Sequence, residues 1–158
     1  MQRELEGWPD LFAAKVDARL DEILTLTNTN RFPVESYEVS LVAHGNGAHF
    51  VKHTDMPIGP GRRPLGGDES GKQDRLLSAV YYFHAEPRGF TGGDLRLHRF
   101  GSEDAPGDYV DVEPADNRLV VFPSWVLHEV RPVSVPTGRF EDQRFAVNCW
   151  LCARLGAS

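Results

Sequence analysis

Between Pro9 and Leu26, apolar residues recur at Leu11, Phe12, Ala14, Val16, Leu20, Ile23 and Leu24. That spacing keeps one face of a helix apolar and predicts a helix from about Asp10 to Leu26. The polar run Thr27 to Arg31 ends it. The period then changes. Tyr37-Glu-Val-Ser-Leu-Val-Ala43 alternates as a strand does, and Gly45-Asn46-Gly47 marks a turn into a second strand, His49 to His53. Met56 to Arg75 is rich in glycine, proline and charge and predicts a long loop. Further strands are predicted over Leu76 to Phe83, Asp94 to Phe100 (after Gly92-Gly93), Asp108 to Val112, Arg118 to Phe122, Val126 to Val133 and Arg144 to Leu155. A helix followed by eight short antiparallel strands predicts a mainly β fold. The expectation is a double-stranded β-helix, or jelly roll, over about residues 35–155 with the N-terminal helix packed on it.

Length and composition add bounds. The chain has 158 residues, 41% hydrophobic and 25% charged, which suits one globular domain over residues 1–158. No repeat or low-complexity tract divides it. Its net charge of −6 argues against nucleic-acid or anionic-membrane partners. The longest apolar runs fall well short of a membrane span. Met1 to Pro9 is polar and does not read as a signal peptide, so a cytoplasmic location is the expectation.

Cys149 and Cys152 form a C-x-x-C pair, a spacing that invites a redox or metal role. On a strand, however, residues three apart face opposite sides. Two thiols so placed cannot easily pair, and buried reduced cysteines are the simpler reading.

His53-Thr54-Asp55 carries more chemistry. On a strand, positions i and i+2 leave one face, so an imidazole and a carboxylate stand side by side. His128, in Trp125-Val-Leu-His-Glu-Val130, can supply a third corner if the fold returns its strand to the first. Two histidines and a carboxylate on one face leave coordination positions open, as in non-haem iron(II) oxygenases. H-x-D by itself is common, and a strand histidine such as His128 is also often a hydrogen-bonded packing residue.

The surrounding blocks are more specific. Gly45-Asn-Gly-Ala-His-Phe-Val-Lys-His-Thr-Asp55, Arg75-Leu-Leu-Ser-Ala-Val-Tyr-Tyr-Phe83, Thr91-Gly-Gly-Asp-Leu-Arg-Leu97, Val112-Glu-Pro114, Arg118-Leu-Val-Val-Phe122, His128-Glu-Val-Arg-Pro-Val133 and Arg144-Phe-Ala-Val-Asn-Cys-Trp150 follow one another in order. In these blocks the chain resembles the prolyl-hydroxylase branch of the iron(II)- and 2-oxoglutarate-dependent dioxygenases, from Glu35 to about Leu151. The resemblance implies iron(II) as cofactor, 2-oxoglutarate and dioxygen as cosubstrates, and ascorbate as a candidate reductant. It implies His53, Asp55 and His128 as metal ligands, and Arg144 and Tyr82 as the holders of the distal carboxylate of 2-oxoglutarate. A guanidinium fork suits that carboxylate and stays charged when buried. Ser78, Asn148 and Trp150 become candidate pocket residues, Trp150 being equally suited to the core. Tyr81 should face the other way.

Departures from the resembled pattern are also legible. Tyrosines common upstream of H-x-D are replaced by Ala43 and Phe50, which removes two hydroxyls from the expected pocket. His44 and His49 could substitute in part, although exposed histidines are the simpler reading. Val135 to Gln143 lengthens the connection between His128 and Arg144 and brings in Arg139, a rival for the carboxylate. The strand context favours Arg144. His84 and His98 fit no ligand pattern and read as surface or loop residues. The resemblance implies decarboxylation of 2-oxoglutarate to succinate and carbon dioxide coupled to C–H hydroxylation, a carboxylate at position 55 favouring hydroxylation over halogenation. Three functions stay open: a hydroxylase of a prolyl residue in a protein or peptide, a hydroxylase of a free amino acid or small natural-product intermediate, and a non-catalytic jelly-roll binding module. The glycine- and proline-rich stretch after Asp55 is expected to act as a lid. Nothing in the sequence speaks to oligomeric state.

Overall fold

The structure, a computed structural model, describes residues 6–56, 73–99 and 107–154. The expected helix is present but divided, into α1 (Trp8–Asp17) and α2 (Leu20–Leu26). At the break, the Arg19 amide bonds the Val16 carbonyl in a tightened turn, and the Arg19 carbonyl then starts α2 by accepting from Ile23. The break turns Val16, Ile23 and Leu24 into one buried cluster, while Leu11 and Leu26 stay exposed.

The strands are β1 (Ser36–His44), β2 (Phe50–His53), β3 (Asp74–Phe83), β4 (Thr91–Gly92), β5 (Leu95–His98), β6 (Tyr109–Val112), β7 (Arg118–Pro123), β8 (His128–Val130), β9 (Val133–Ser134) and β10 (Arg144–Ala153). There are thus ten described strands rather than eight. The expected Val126 to Val133 strand is split into β8 and β9, because Val133 leaves the sheet of β8 to pair with Gly92 of β4. The lid expected after Asp55 lies outside the described residues from position 57 to 72.

All pairing is antiparallel, in two four-stranded sheets ordered β1-β10-β3-β7 and β2-β8-β5-β6, with β4-β9 alongside. This is the jelly roll expected from the strand pattern. Side-chain parity divides the larger sheet cleanly. Tyr37, Val39, Leu77, Ala79, Cys149 and Leu151 belong to the core cluster that packs against Phe12, Val16, Leu20, Ile23 and Leu24. The opposite face carries His44, Tyr82, Arg144, Asn148 and Trp150 towards the second sheet. Cys149 therefore lies under the helices, Cys152 has the other parity, and both are buried free thiols. Burial pushes both thiols up, Cys149 to about 12 and Cys152 to about 11, which leaves them protonated and unreactive.

One irregularity matters for the site. Leu77 pairs with Leu151, but Arg75 pairs with Cys152, so β3 holds one extra residue there. The bulge reverses parity beyond it and brings Arg75 to the inner face, over the Trp150 ring at 3.9 Å. No helix among the described residues is long and apolar enough to cross a membrane.

Candidate active site

A cavity of about 350 Å³ opens between the two sheets. Its walls come from β1, β3 and β10 on one side and β2, β5 and β8 on the other.

His53 and His128 are direct partners in the β2–β8 pair, with ring centroids 4.2 Å apart. Asp55 follows β2, and its amide donates to the Ser124 carbonyl at 2.9 Å. The carboxylate lies 3.6 Å from His53 Nε2 and 3.7 Å from His128 Nε2. One ligand atom from each residue lies within 4.8 Å of the others, close enough for a single ion to bridge all three. Both imidazoles are pre-set for this. Each Nδ1 faces a backbone carbonyl at 2.8 Å, Val51 for His53 and Val126 for His128. A carbonyl only accepts, so the proton sits on Nδ1 and the Nε2 lone pairs point to the cluster.

Asp55 is held as an anion. Burial would raise its carboxyl, but the His53 imidazole 3.6 Å away, hydrogen bonds from Ser78 and Trp150, and His128 nearby outweigh burial and hold it at about 2. The Ser78 hydroxyl donates to Asp55 at 2.6 Å and lies 2.8 Å from the Ser124 hydroxyl. Ser78 is therefore on the expected face, but behind Asp55 rather than on the cavity wall. Ser124, fully buried, carries Asp55 through both its carbonyl and this hydroxyl chain. Its place in Pro123-Ser-Trp125 gave no sign of that role. The neighbouring Asp55 carboxylate raises His53, whereas burial lowers His128.

At the other end lies Arg144, the first residue of β10 and only 1% exposed. Its Nε donates to the Gly93 carbonyl at 2.8 Å and its Nη1 to His44 Nδ1 at 3.1 Å. Both partners are neutral, so a buried cation stands without a bonded carboxylate among the described residues. Gly93 makes this position possible: its φ is +75°, and a Cβ there would lie 2.5 Å from Arg144 Cδ. The Tyr82 ring lies 4.9 Å from the guanidinium, and its buried hydroxyl has no hydrogen-bond partner among the described residues. Tyr81 points outward, against Phe12 and Phe83, and bonds Asn117.

Arg139 is elsewhere. Its side chain is 60% exposed and its Nε bonds Asp142 at 2.9 Å, so of Arg139 and Arg144 it is Arg144 that lines the cavity. His44 corrects an expectation: it is half-buried, lines the cavity and touches Arg144, instead of being an exposed histidine. The alternation Ser40, Val42, His44 carried that signal. Ala43 has the opposite parity and is exposed, so no cavity hydroxyl is lost at position 43. Phe50 does line the cavity, edge-on to His53 at 4.5 Å. His49 is exposed as expected, and His84 is on a loop against Phe90. His98 is not a surface residue: it lies on β5, nearly buried, 3.2 Å from Glu129.

Comparison with known proteins agrees with this geometry. The profile of the 2OG-Fe(II) oxygenase superfamily matches residues 39–152. The chain belongs to that superfamily. The superfamily is one of iron(II)- and 2-oxoglutarate-dependent oxygenases, and the two-histidine, one-carboxylate cluster is the donor set such an ion takes. The chain is 30% identical over 145 residues to an uncharacterized PKHD-type hydroxylase of Synechocystis, covering 89% of this chain and 44% of that protein. It is 31% identical over 111 residues to the hypoxia-inducible factor prolyl hydroxylase of Caenorhabditis elegans, covering 67% of this chain and 12% of that protein. Among solved structures it is similar to a Pseudomonas putida prolyl-4-hydroxylase, with a TM-score of 0.54, 29% identity, and coverage of 89% of this chain and 65% of that one. The chain thus spans less than half the length of these two sequence relatives.

Proposed function

We propose that this oxygenase domain hydroxylates a C–H bond of a prolyl residue in a protein or peptide. His53, Asp55 and His128 hold the iron, and Arg144 and Tyr82 hold the distal carboxylate of 2-oxoglutarate. One observation carries the reading: a buried cation with no bonded carboxylate and a buried phenol with no hydrogen-bond partner, among the described residues, face a cavity whose far wall is a two-histidine, one-carboxylate cluster. An unpaired buried charge is costly, so the site is built for an anion that arrives with the ligand. Charge balance supports a dianion. Asp55 and Arg144 cancel, Arg75 is paired with Glu38, and a divalent cation with a dicarboxylate keeps the cavity neutral.

Iron(II) with 2-oxoglutarate supplies the oxidising chemistry, in which dioxygen is consumed, succinate and carbon dioxide are released and a C–H bond becomes C–OH. The chain's own residues do the rest. The Nδ1–H bonds of His53 and His128 fix both rings, and Ser78 and Trp150 fix the Asp55 carboxylate. Arg144 and Tyr82 orient a dicarboxylate lengthwise in the cavity. Val42, Leu95 and Val130 line its walls and keep water from the reacting centre. Phe50 and Arg75, at the partly exposed rim, meet the substrate.

The proline preference comes from the relatives, one a prolyl hydroxylase by name and one a solved prolyl-4-hydroxylase. Succinate release should be measured with iron(II), ascorbate and 2-oxoglutarate against a panel of proline peptides and a panel of free amino acids. Peptide-dependent turnover with a mass gain of one oxygen on proline is expected. Turnover coupled only to free amino acids would replace the substrate half of the proposal. A protein that binds metal but never turns over would leave a binding module.

A further inference from the structure

We infer that His44 is a positioning residue for Arg144, a neutral acceptor that aims the guanidinium while leaving its charge for a dicarboxylate. The inference rests on the proposed role of Arg144 at the distal carboxylate. His44 is the last residue of β1, and Arg144, the first of β10, is its direct cross-strand partner. Their contact at 3.1 Å joins Arg144 Nη1 to His44 Nδ1. Guanidinium nitrogens only donate, so Nδ1 is the acceptor and the imidazole carries its single proton on Nε2. Protonation of the ring would remove that acceptor and set a second cation beside the first. Burial and the Arg144 charge accordingly lower His44 to about 4, and it is neutral at physiological pH.

Two anchors therefore fix the fork. Gly93 O, just before β5, takes Nε, and His44, from the other sheet, takes Nη1. With both ends tied, the guanidinium plane cannot rotate, and the Nη2 donors remain for a ligand. Both anchors are neutral. A carboxylate in place of His44 would orient Arg144 equally well, but it would also satisfy the charge and repel the incoming anion. The choice of histidine thus couples alignment to an unspent charge, which selects a cosubstrate with a second carboxylate.

The test uses the full chain loaded with manganese(II), titrated calorimetrically with 2-oxoglutarate and with 2-oxopentanoate, which lacks the distal carboxylate. His44→Gln keeps a neutral acceptor and should bind 2-oxoglutarate within about threefold of wild type. His44→Leu removes the acceptor and should bind roughly ten- to a hundredfold more weakly, the scale of one hydrogen bond to a charged group. His44→Glu should bind at least as weakly as His44→Leu and lose the preference for 2-oxoglutarate over 2-oxopentanoate. In iron-loaded protein these effects should appear in KM for 2-oxoglutarate, with kcat at saturation changed by less than about threefold. Equal affinities for the Gln and Glu variants would overturn the inference even if His44→Leu fails to fold, as would wild-type affinity in His44→Leu. An Arg144→Leu protein that loses 2-oxoglutarate while every His44 variant keeps it would leave the site reading standing and sink only the role of His44. Wild-type protein that takes manganese but not 2-oxoglutarate would sink both.

Discussion

Gly93→Ala should disable the cosubstrate end of the cavity without touching the metal end. Gly93 has φ +75°, a region that costs an L-residue about 1–2 kcal/mol. The added methyl would also lie 2.5 Å from Arg144 Cδ, 3.0 Å from Arg144 Nε and 3.0 Å from Val133 Cγ2. Arg144 cannot step aside, being 1% exposed and tied by Nε to the carbonyl of the same glycine. Overpacking of this kind adds about 1–3 kcal/mol, for a total of roughly 2–5 kcal/mol. At about 2–4 °C per kcal/mol in a domain of this size, the melting temperature should fall by roughly 4–20 °C. Moving the guanidinium by half an ångström or more should weaken 2-oxoglutarate at least tenfold in manganese-loaded protein, on the scale of one lost charged hydrogen bond. Metal affinity should hold, because His53, Asp55 and His128 lie on the opposite wall. Gly47→Ala is the control: its φ is +77° and nothing lies within 4 Å of an added Cβ. It should lose only the backbone part of the stability and keep 2-oxoglutarate affinity. If Gly93→Ala binds 2-oxoglutarate as wild type does, or if Gly47→Ala weakens it equally, the packing argument fails.

Other outcomes follow from the same geometry. His53→Ala and His128→Ala should each abolish turnover by losing iron while circular dichroism stays native; a variant with full iron content and full activity would refute the ligand assignment. Ser78→Ala removes the 2.6 Å hydrogen bond to Asp55 and should weaken metal binding about tenfold, readable by competition with a chelator. Arg144→Leu should cost several kcal/mol of 2-oxoglutarate binding, whereas Arg139→Ala, whose charge is spent on Asp142, should cost almost none in the same titration; reversed effects would move the cosubstrate to the inserted loop. Metal-free wild type should lose stability as pH falls from about 6.5 to about 4, because the unfolded chain takes a proton on His44 that the folded chain refuses until about 4. The His44→Gln protein should lack that component in pH-dependent melting curves.

Much of this arrangement was legible in the residues alone. Alternation over Tyr37 to Ala43 and the apolar runs Leu76 to Phe83 and Arg144 to Leu155 marked three strands of the larger sheet, and parity along the last two grouped the side chains that line the cavity. Because a strand turns its side chains over every two residues, His53 and Asp55, Arg144 and Asn148, and Tyr82 and Tyr81 could be sorted before any contact was known. Ordered blocks around them identified the chemistry. Other features had no local signature. The break between α1 and α2 needs no glycine or proline; it follows from laying two apolar stripes onto one sheet. The extra residue in β3 that turns Arg75 inward arises where β3 and β10 must stay paired around it.

What the sequence determined by itself was therefore most of the strands, the face their side chains take where pairing is regular, and the donor types available. Tertiary structure alone decided which of these meet. His128 reaches His53 through the register of β2 with β8, and His44 reaches Arg144 through the register of β1 with β10, across a hundred residues of chain. Ser124 reaches Asp55 only because a turn after β7 passes behind the metal cluster. Periodicity is a local property and survives in one dimension. Register between distant strands is set by the packing of the whole core, so the same sequence pattern left His44 looking like an exposed histidine and Arg139 like a rival of Arg144.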